Sequence, residues 1–552
     1  MAQVSPVRQE VFDAIVVGSG CTGGWAAKWL TEHGLKVAML EAGAKITPKD
    51  FTEHKQAWDF PYLGMASYIS KERPIQSKCY ACTEHNYKWF VNDVENPYTQ
   101  DKPFSWIRQR ILGGRSLSWG RQSYRMSDLD FKAASHDGYG EDWPISLEEM
   151  RPYYEIVEKY VGISGQAEGL PQLPDSVFLP PMAMTCAETS MKSRLKAKMD
   201  RTVTIGRVAI LTKAHNGRAA CHYCGPCERG CSTFSYYSSL TTVIPDAMKT
   251  GRLTIFTDSP AAEVIMKDGK AAWIRYVDRL TGDRREVYAK VVVLCASTLE
   301  STRLMLNSGI CNSSGVLGHY LMDHIYEGGA YGQWEGVEAK PWAGMPSRPN
   351  GVYIPRFRNV KDKETNGFIR GYGYQGGATP NFNFGAPGFG AQYKQAVRAA
   401  SGTWGMNVLA FGECLARFDN HVEIDKSRVD ADGIPILKIS CEWGDNEKKL
   451  FEDGKTQGAE MLEAAGCKDV ATYGKPSTPG HGIHEIGTAR MSNDPKKGVL
   501  NRFAQAHDVQ NLFVTDGAAW VSSGCQNPTL TMMAITVRAC DYILNEYKKQ
   551  VV

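Results

Sequence analysis

The first forty residues alternate between apolar runs and a glycine-rich turn. In "FDAIVVGSGCTGGWAAKWLTEHGLKVAMLEAG", the apolar positions predict a strand over 12–17, a helix over about 22–33, and a second strand that ends at Glu41. A strand, a glycine turn, a helix and another strand in this order predict a parallel β-α-β unit.

The rest of the chain carries the same two kinds of pattern with one interruption. Residues 252–297 predict successive strands joined by the turns "KDGK" and "LTGD". Glycine, proline and aromatic residues then become frequent over 320–474, which predicts long loops that face a substrate. Four aromatic residues in this region are candidates for stacking on a sugar ring: Tyr372, Tyr374, Phe382 and Phe384. Because strand and helix patterns return after 474, we expect a domain that is interrupted and then resumed.

Composition and charge narrow the class of protein. The chain has 552 residues, of which 43% are hydrophobic and 22% charged, as in a globular protein with a large core. A net charge of +3 gives no strong field toward nucleic acid, so a small neutral or weakly charged substrate fits better. Apolar runs such as "VVVLCAS" are strand-sized, shorter than the roughly 18 residues that span a bilayer, so direct membrane insertion is not expected.

The glycine turn has the spacing of a dinucleotide site. Gly18, Gly20 and Gly23 form G-x-G-x-x-G between the first strand and the helix, and Glu41 closes the second strand. Glycines at these positions let the backbone approach a pyrophosphate at the helix N-terminus, where free amide groups favour negative charge. The acidic residue is placed to bind the adenosine ribose hydroxyls.

Four cysteines form a second candidate site in "CHYCGPCERGCS". Cys221, Cys224, Cys227 and Cys231 have the C-x2-C-x2-C-x3-C spacing with which bacterial ferredoxins bind an iron–sulfur cluster, although Ser232 replaces the usual proline. We expect a four-iron cluster, with a three-iron cluster as the next choice. Structural zinc is the alternative, but its usual motifs place two cysteine pairs farther apart.

Several further segments resemble the glucose-methanol-choline (GMC) oxidoreductases, which are FAD enzymes that act on alcohols and sugars. The resemblance covers almost the whole chain and rests on the glycine motif, "GGRSLSWGRQSYR", "ASTLESTRLMLNSG", "LGHYLMDH", "HEIGTARM", "NLFVTDGAAW" and "NPTLTMMAITVRACDYI". It implies an α/β fold with three parts. A Rossmann-like FAD-binding domain covers 1–319 and carries an iron–sulfur insertion around 215–235. An interleaved α+β substrate-binding domain, built on an antiparallel sheet, covers 320–474, and 475–552 returns to the FAD-binding domain with the catalytic residues.

The resemblance also implies roles for individual residues. Gly113, Gly114 and Asp516 lie in cofactor-binding motifs, whereas His484 and Asn527 correspond to the residues that face the flavin ring. The chemistry of the two side chains agrees with this, because removing a hydride from a carbinol carbon requires a base for the hydroxyl proton, and imidazole has a suitable pKa. Asn527 does not titrate, so we expect it to hold the hydroxyl in line.

A cysteine cluster at this position resembles the sugar dehydrogenase branch of the family, although "CHYC" and "CERGC" differ from the adjacent-cysteine pattern of the gluconate, fructose and glucose dehydrogenases. In combination, "NPYTQDKPFSWIRQRILGGRSLSWGRQSYR" and "CHYCGPCERGC" most resemble the catalytic subunits of bacterial glucoside 3-dehydrogenases. This implies oxidation of a glucoside or disaccharide at C3 to a 3-keto sugar, with electrons leaving FAD through the cluster to a haem or quinone acceptor. Dehydrogenation of a free aldose or a sugar acid such as gluconate is the first alternative. A non-catalytic flavin and iron–sulfur electron carrier is a second one, which the presence of both His484 and Asn527 disfavours.

Relatives of this kind pair with a small subunit and pass electrons to a cytochrome c-type acceptor. The first residues here, "MAQVSPVRQEVFDAIVVG", lack the basic, apolar and cleavage regions of an export signal. The resemblance therefore implies a periplasmic location reached by co-export with a small subunit that bears a twin-arginine signal. A cytoplasmic enzyme is the alternative.

Overall fold

The computed structural model describes residues 11–335, 348–381, 387–400 and 403–549. Its strands are β1 Val11–Val17, β2 Val37–Leu40, β3 Thr99–Gln100, β4 Ile163–Ser164, β5 Phe178–Leu179, β6 Thr204–Ile205, β7 Leu253–Phe256, β8 Ala261–Lys267, β9 Lys270–Val277, β10 Arg284–Leu294, β11 Ile325–Trp334, β12 Val352–Ile354, β13 Glu364–Thr365, β14 Phe368–Ile369, β15 Tyr372–Pro380, β16 Trp404–Gly412, β17 His421–Val429, β18 Pro435–Ser440, β19 Lys468–Tyr473 and β20 Leu512–Val514. Its α-helices are α1 Cys21–Glu32, α2 Ile69–Glu72, α3 Asp128–Phe131, α4 Ala133–Asp137, α5 Leu147–Val161, α6 Cys186–Met199, α7 Val243–Lys249, α8 Thr298–Ser308, α9 Gly390–Ala400, α10 Asp445–Ala464 and α11 Thr529–Lys548.

Within the described ranges, one seven-stranded sheet has the strand order β7-β2-β1-β10-β9-β8, and β20 pairs with β10. The pairs among β7, β2, β1, β10 and β20 are parallel. The apolar runs of β1, β2, β20 and the last part of β10 are buried, and α1 packs against β1, β2 and β10. The long strand β10 pairs with β9 through its first half and with β20 through its last residues. This arrangement places the carboxyl ends of β1, β2, β10 and β20 at one edge of the sheet, where doubly wound folds bind ligands.

A second sheet of six described strands has the order β19-β11-β16-β15-β12-β6, and all of its neighbouring strands are antiparallel. Helix α10 packs on one face of this sheet, with Leu450, Phe451 and Met461 buried against it. Five of the strands come from residues 320–474, the region for which the composition predicts long loops. The sixth, β6, comes from the preceding part of the chain, so the domain boundary at 319 stays a prediction.

The predicted β-α-β unit is present with small shifts at its ends. Strand β1 and helix α1 each begin one residue earlier than expected, and β2 ends at Leu40, directly before Glu41. No helix in the described part of the chain is long and apolar enough to cross a membrane.

Candidate active site

The loop after β1 is shaped by its glycines. Gly18 has φ of +98°, and a Cβ there would lie 2.3 Å from the carbonyl oxygen of Cys295. At Gly23 a Cβ would lie 1.9 Å from the Gly18 carbonyl oxygen, so both positions require glycine. A Cβ at Gly20 would instead meet no protein atom within 4 Å. The loop is therefore closed on the protein side and open on the side where a pyrophosphate would lie.

A second glycine turn faces the first. Gly113 and Gly114 have φ of +93° and +51°, and the Gly113 amide donates a 2.8 Å hydrogen bond to the hydroxyl of Ser19. A Cβ on Gly114 would lie 3.5 Å from the Cα of Gly20. The two turns, 94 residues apart from Ser19 to Gly113, thus lie against each other and together form the predicted FAD cleft.

The two acidic residues predicted to bind the cofactor each follow a strand of the parallel sheet, β2 and β20, which are separated by β1 and β10. Glu41 is buried after β2 and accepts hydrogen bonds from the amides of Ser19 (3.1 Å) and Gly43 (2.7 Å) and from the Ser19 hydroxyl. Asp516 is buried after β20 and accepts a 2.5 Å hydrogen bond from the hydroxyl of Ser301. Burial raises the pKa of both carboxyl groups, that of Asp516 to about 6. The two glycine turns and the carboxyl groups of Glu41 and Asp516 fit the pyrophosphate and ribose of FAD.

His484 and Asn527 lie side by side, although 43 residues separate them along the chain. His484 belongs to the long loop between β19 and β20, and Asn527 precedes α11. The Asn527 Nδ2 atom is 3.3 Å from His484 Nε2. The carboxamide of Gln375, from β15, donates a 2.9 Å hydrogen bond to Asn527 Oδ1. The structure therefore brings the two predicted catalytic side chains together and adds a third polar group from the antiparallel sheet.

The segment 323–324, just before β11, fixes the position of His484. The buried carboxylate of Asp323 accepts three hydrogen bonds, from the backbone amides of Gly480 (2.8 Å), Gly482 (2.9 Å) and His484 (3.0 Å). The neighbouring His324 ring contacts the His484 ring, with 2.8 Å between the two Nδ1 atoms. One residue of the pair holds the backbone of the His484 loop, and the other holds its side chain.

Burial determines the charge of both imidazoles. It lowers the pKa of His484 well below its ordinary value, and the positive charge of Arg115 acts in the same direction, as does that of His324 when it is protonated. Burial also lowers the pKa of His324 to about 4. Both rings are neutral near pH 7, so His484 is available to accept a proton.

The loop that carries His484 contacts the predicted FAD cleft directly. The Gly487 amide donates a 2.9 Å hydrogen bond to the carbonyl of Gly517, the residue after Asp516. Arg115, which follows Gly114, forms a 2.9 Å ion pair with the buried carboxylate of Glu485. The charged residue in "GGRSLSW" therefore connects the second glycine turn to the residue that follows His484.

The four cysteines predicted to bind metal line one pocket, together with His222, Gly225, Gly230, Ser235, Ile210, Tyr236 and Pro349. Burial raises the pKa of the Cys227 thiol to about 11 and also raises the pKa values of Cys221 and Cys224. Across 11–335, 348–381, 387–400 and 403–549, no three or more histidine, cysteine, aspartate or glutamate side chains are arranged to hold a single metal ion. The iron–sulfur cluster therefore stays a prediction.

The suggested sugar-stacking role of two tyrosines is wrong. Tyr372 and Tyr374 are fully buried, and their hydroxyls donate hydrogen bonds to Asp453 and to the carbonyl of Gly454 in α10. Both rings therefore pack between the antiparallel sheet and α10. Phe382 and Phe384 lie outside the described residues.

Other aromatic rings lie next to the catalytic pair. Phe411, in β16, has its ring 6.4 Å from that of His484 and stacks on Tyr326 at 5.3 Å. Sequence reasoning missed these two residues, as well as Gln375, Asp323 and the role of His324. For His324 a signal existed, since the segment "LGHYLMDH" was already recognised as a motif.

Comparison with known proteins decides the family. The sequence profile of the GMC oxidoreductases matches residues 12–326 and 416–536. The chain belongs to the GMC oxidoreductase family. It is therefore an FAD-type enzyme that oxidises CH–OH groups, and the assignment of the FAD site to the glycine turns at Gly20 and Gly114 stays a prediction.

Two curated relatives align over nearly the whole chain. The 2-methyl-1,2-propanediol dehydrogenase of Mycolicibacterium austroafricanum is 30% identical, covering 97% of this chain and 95% of the relative. The fructose dehydrogenase large subunit of Gluconobacter japonicus is 26% identical, covering 97% and 98%. Among solved structures, pyridoxine 4-oxidase from Mesorbium loti has the same fold, with a TM-score of 0.60, 16% identity and coverage of 96% of this chain and 98% of that one.

Proposed function

We propose that this GMC enzyme is a dehydrogenase that oxidises a secondary hydroxyl of a glucoside or disaccharide, at C3, to a keto sugar. The observation that carries the proposal is the pairing of the half-buried His484 imidazole with the Asn527 carboxamide beside the predicted FAD cleft. The choice of C3 rests on resemblance alone, that of the segment 96–125 together with the cysteine segment to glucoside 3-dehydrogenases.

In the proposed reaction, His484 Nε2 accepts the proton of the substrate hydroxyl. Asn527 donates a hydrogen bond from its amide and orients that hydroxyl, while Gln375 fixes the Asn527 carboxamide. Bound FAD supplies the redox chemistry by accepting the hydride from the carbinol carbon. The lowered pKa of His484 keeps its imidazole neutral near pH 7, so that the ring can act as a base.

The side chains around the pair suit a neutral, polar substrate. Gln375 and Asn527 offer uncharged donors and acceptors for sugar hydroxyls. The Phe411 ring, stacked on Tyr326, presents an aromatic face near His484 on which a pyranose can pack.

We also propose that the cysteine pocket holds an iron–sulfur cluster, with four irons favoured over three, through Cys221, Cys224, Cys227 and Cys231. Four thiols that line one pocket support this arrangement. When bound, the cluster supplies one-electron transfer to a haem or quinone acceptor. The proposal includes a small subunit, a cytochrome c-type acceptor and a periplasmic location reached by co-export, with the cytoplasm as the alternative.

A second candidate substrate is a small diol. The relative from M. austroafricanum is named a 2-methyl-1,2-propanediol dehydrogenase and is 30% identical over nearly the full length of both chains. A small diol would use the same base and the same orienting carboxamide, but it would not need the aromatic face of Phe411.

Anaerobic mixing with a panel of alcohols tests these proposals. The panel contains methyl glucosides, sucrose, trehalose, glucose, fructose, gluconate and 2-methyl-1,2-propanediol, and the readout is the loss of the oxidised flavin absorbance. We expect a glucoside or disaccharide to bleach the flavin fastest, and mass and NMR analysis of the product to identify a 3-keto sugar. Faster bleaching by the diol or by a free sugar would reject the glucoside assignment, and no bleaching by any alcohol would reject the dehydrogenase.

A further inference from the structure

Four polar groups form a continuous chain of contacts through the catalytic histidine. The chain starts at the backbone carbonyl of Gly524, which is 2.8 Å from His324 Nε2. It continues from His324 Nδ1 to His484 Nδ1 over 2.8 Å, and from His484 Nε2 to Asn527 Nδ2 over 3.3 Å. His324 is fully buried, so water does not compete for these contacts.

The first link fixes the direction of all the others. A carbonyl oxygen only accepts hydrogen bonds, so His324 must carry a proton on Nε2. Because the buried His324 ring is neutral, its Nδ1 atom has no proton and acts as an acceptor. His484 must then donate from Nδ1, and as a neutral ring it keeps an unprotonated Nε2.

We propose that His324 is a positioning residue that fixes the tautomer of His484, so that Nε2 presents its lone pair to the substrate hydroxyl. This inference rests on the proposed function in one respect only, the identity of His484 as the base. In the opposite tautomer Nε2 would carry a proton, and His484 could not accept another one there while neutral.

The same series of hydrogen bonds also accommodates His484 after it has taken up the substrate proton. After proton transfer His484 is an imidazolium that donates from both nitrogens, and His324 Nδ1 already accepts from one of them. No rearrangement of His324 is required, since its own proton stays on Nε2 and continues to be donated to the Gly524 carbonyl throughout. Among the ionisable groups around His484, Arg115 disfavours the imidazolium, Asp323 accepts a hydrogen bond from the His484 backbone amide, and Glu485 forms an ion pair with Arg115.

A matched pair of variants separates this role from simple packing. In His324→Gln the carboxamide places a donor and an acceptor side by side, so it donates to Gly524 and accepts from His484 in the same direction. In His324→Phe the ring remains but both hydrogen bonds are lost. Folding and cofactor retention of both variants are followed by flavin absorbance and thermal unfolding.

The direct readout is the nitrogen NMR spectrum of the purified enzyme with ring-labelled histidine, in which His484→Gln assigns the signal. We expect an unprotonated Nε2 and a protonated Nδ1 for His484 in the wild type and in His324→Gln, and a population with protonated Nε2 in His324→Phe. A protonated Nε2 in the resting wild type, or a His324→Phe spectrum identical to wild type, overturns the proposal.

Kinetics provide the second readout, with the alcohol that reduces the wild-type flavin fastest as the probe. Flavin reduction should fall by about 10²- to 10⁴-fold in His324→Phe, the range expected for loss of a general base, and recover in His324→Gln. Equal losses in the two variants would overturn the positioning role. If no alcohol reduces the wild-type flavin, the proposed function fails while the tautomer assignment is still decided by NMR.

Discussion

The hydroxyl of Tyr236 donates a 2.6 Å hydrogen bond to the backbone carbonyl of Leu117. Tyr236 lines the cysteine pocket, and Leu117 ends the short helical turn that begins at Gly114 in the FAD cleft. One buried side chain therefore spans the distance between the two predicted cofactor sites.

This contact leads to a prediction for the cysteine ligands. Cys224→Ser should lose or degrade the cluster, because a serine hydroxyl is a much poorer ligand for iron than a thiolate. Flavin reduction by substrate should stay near the wild-type rate, since the base is His484, while electron transfer to a haem acceptor should fall steeply.

Iron and sulfide analysis, followed by stopped-flow measurement of each half-reaction, checks this prediction. The exposed Cys186 at the start of α6 provides the control, because Cys186→Ser changes a thiol outside the pocket. Zinc without sulfide in the wild type would contradict the cluster, and a cluster-free variant that reduces the haem acceptor at full speed would contradict its role as a relay.

Removal of the proposed base should slow flavin reduction without weakening FAD binding. His484→Ala should retain FAD, yet reduce it about 10²- to 10⁴-fold more slowly, the usual contribution of one general base. For Asn527→Ala we expect a smaller loss, because only an orienting hydrogen bond is removed. Stopped-flow flavin reduction measures both, and the exposed His33, at the end of α1, supplies the control His33→Ala. Nearly normal reduction in His484→Ala would reject the role.

Cofactor retention should depend on the open face of the first glycine turn. No protein atom lies within 4 Å of a Cβ built on Gly20, so Gly20→Val should fold but place its side chain where the pyrophosphate binds. We expect loss of FAD in Gly20→Val, partial loss in Gly20→Ala, and weaker retention in Glu41→Ala. Flavin content after gel filtration measures this series. Full retention in Gly20→Val would place the pyrophosphate elsewhere.

The parts of the site that depend on local sequence were predictable, and the parts that depend on tertiary packing were not. Gly18, Gly20 and Gly23 lie within six positions, so their spacing alone defines the turn. His324 and Gln375 contact their catalytic partners across 160 and 152 residues of chain, a relationship that no local pattern contains. Composition also failed to distinguish a loop from a strand at Tyr372 and Tyr374, whose alternate spacing in β15 directs both rings to the same buried face.

The neutral state of His324 gives a final prediction, for stability against pH. Its pKa is about 4 in the folded protein against an ordinary value of 6.5, so between these values the unfolded chain binds a proton that the folded protein does not. Stability from this group is therefore complete above pH 6.5 and is lost as the pH falls toward 4. At pH 5 the loss amounts to about 2 kcal/mol.

His324→Gln cannot titrate, so between pH 7.5 and pH 5 its free energy of unfolding should fall by about 2 kcal/mol less than that of wild type. Urea unfolding of both proteins, followed by tryptophan fluorescence, measures the difference. Equal losses would mean that His324 is not held neutral in the folded protein, and would remove the premise from which the tautomer of His484 was inferred.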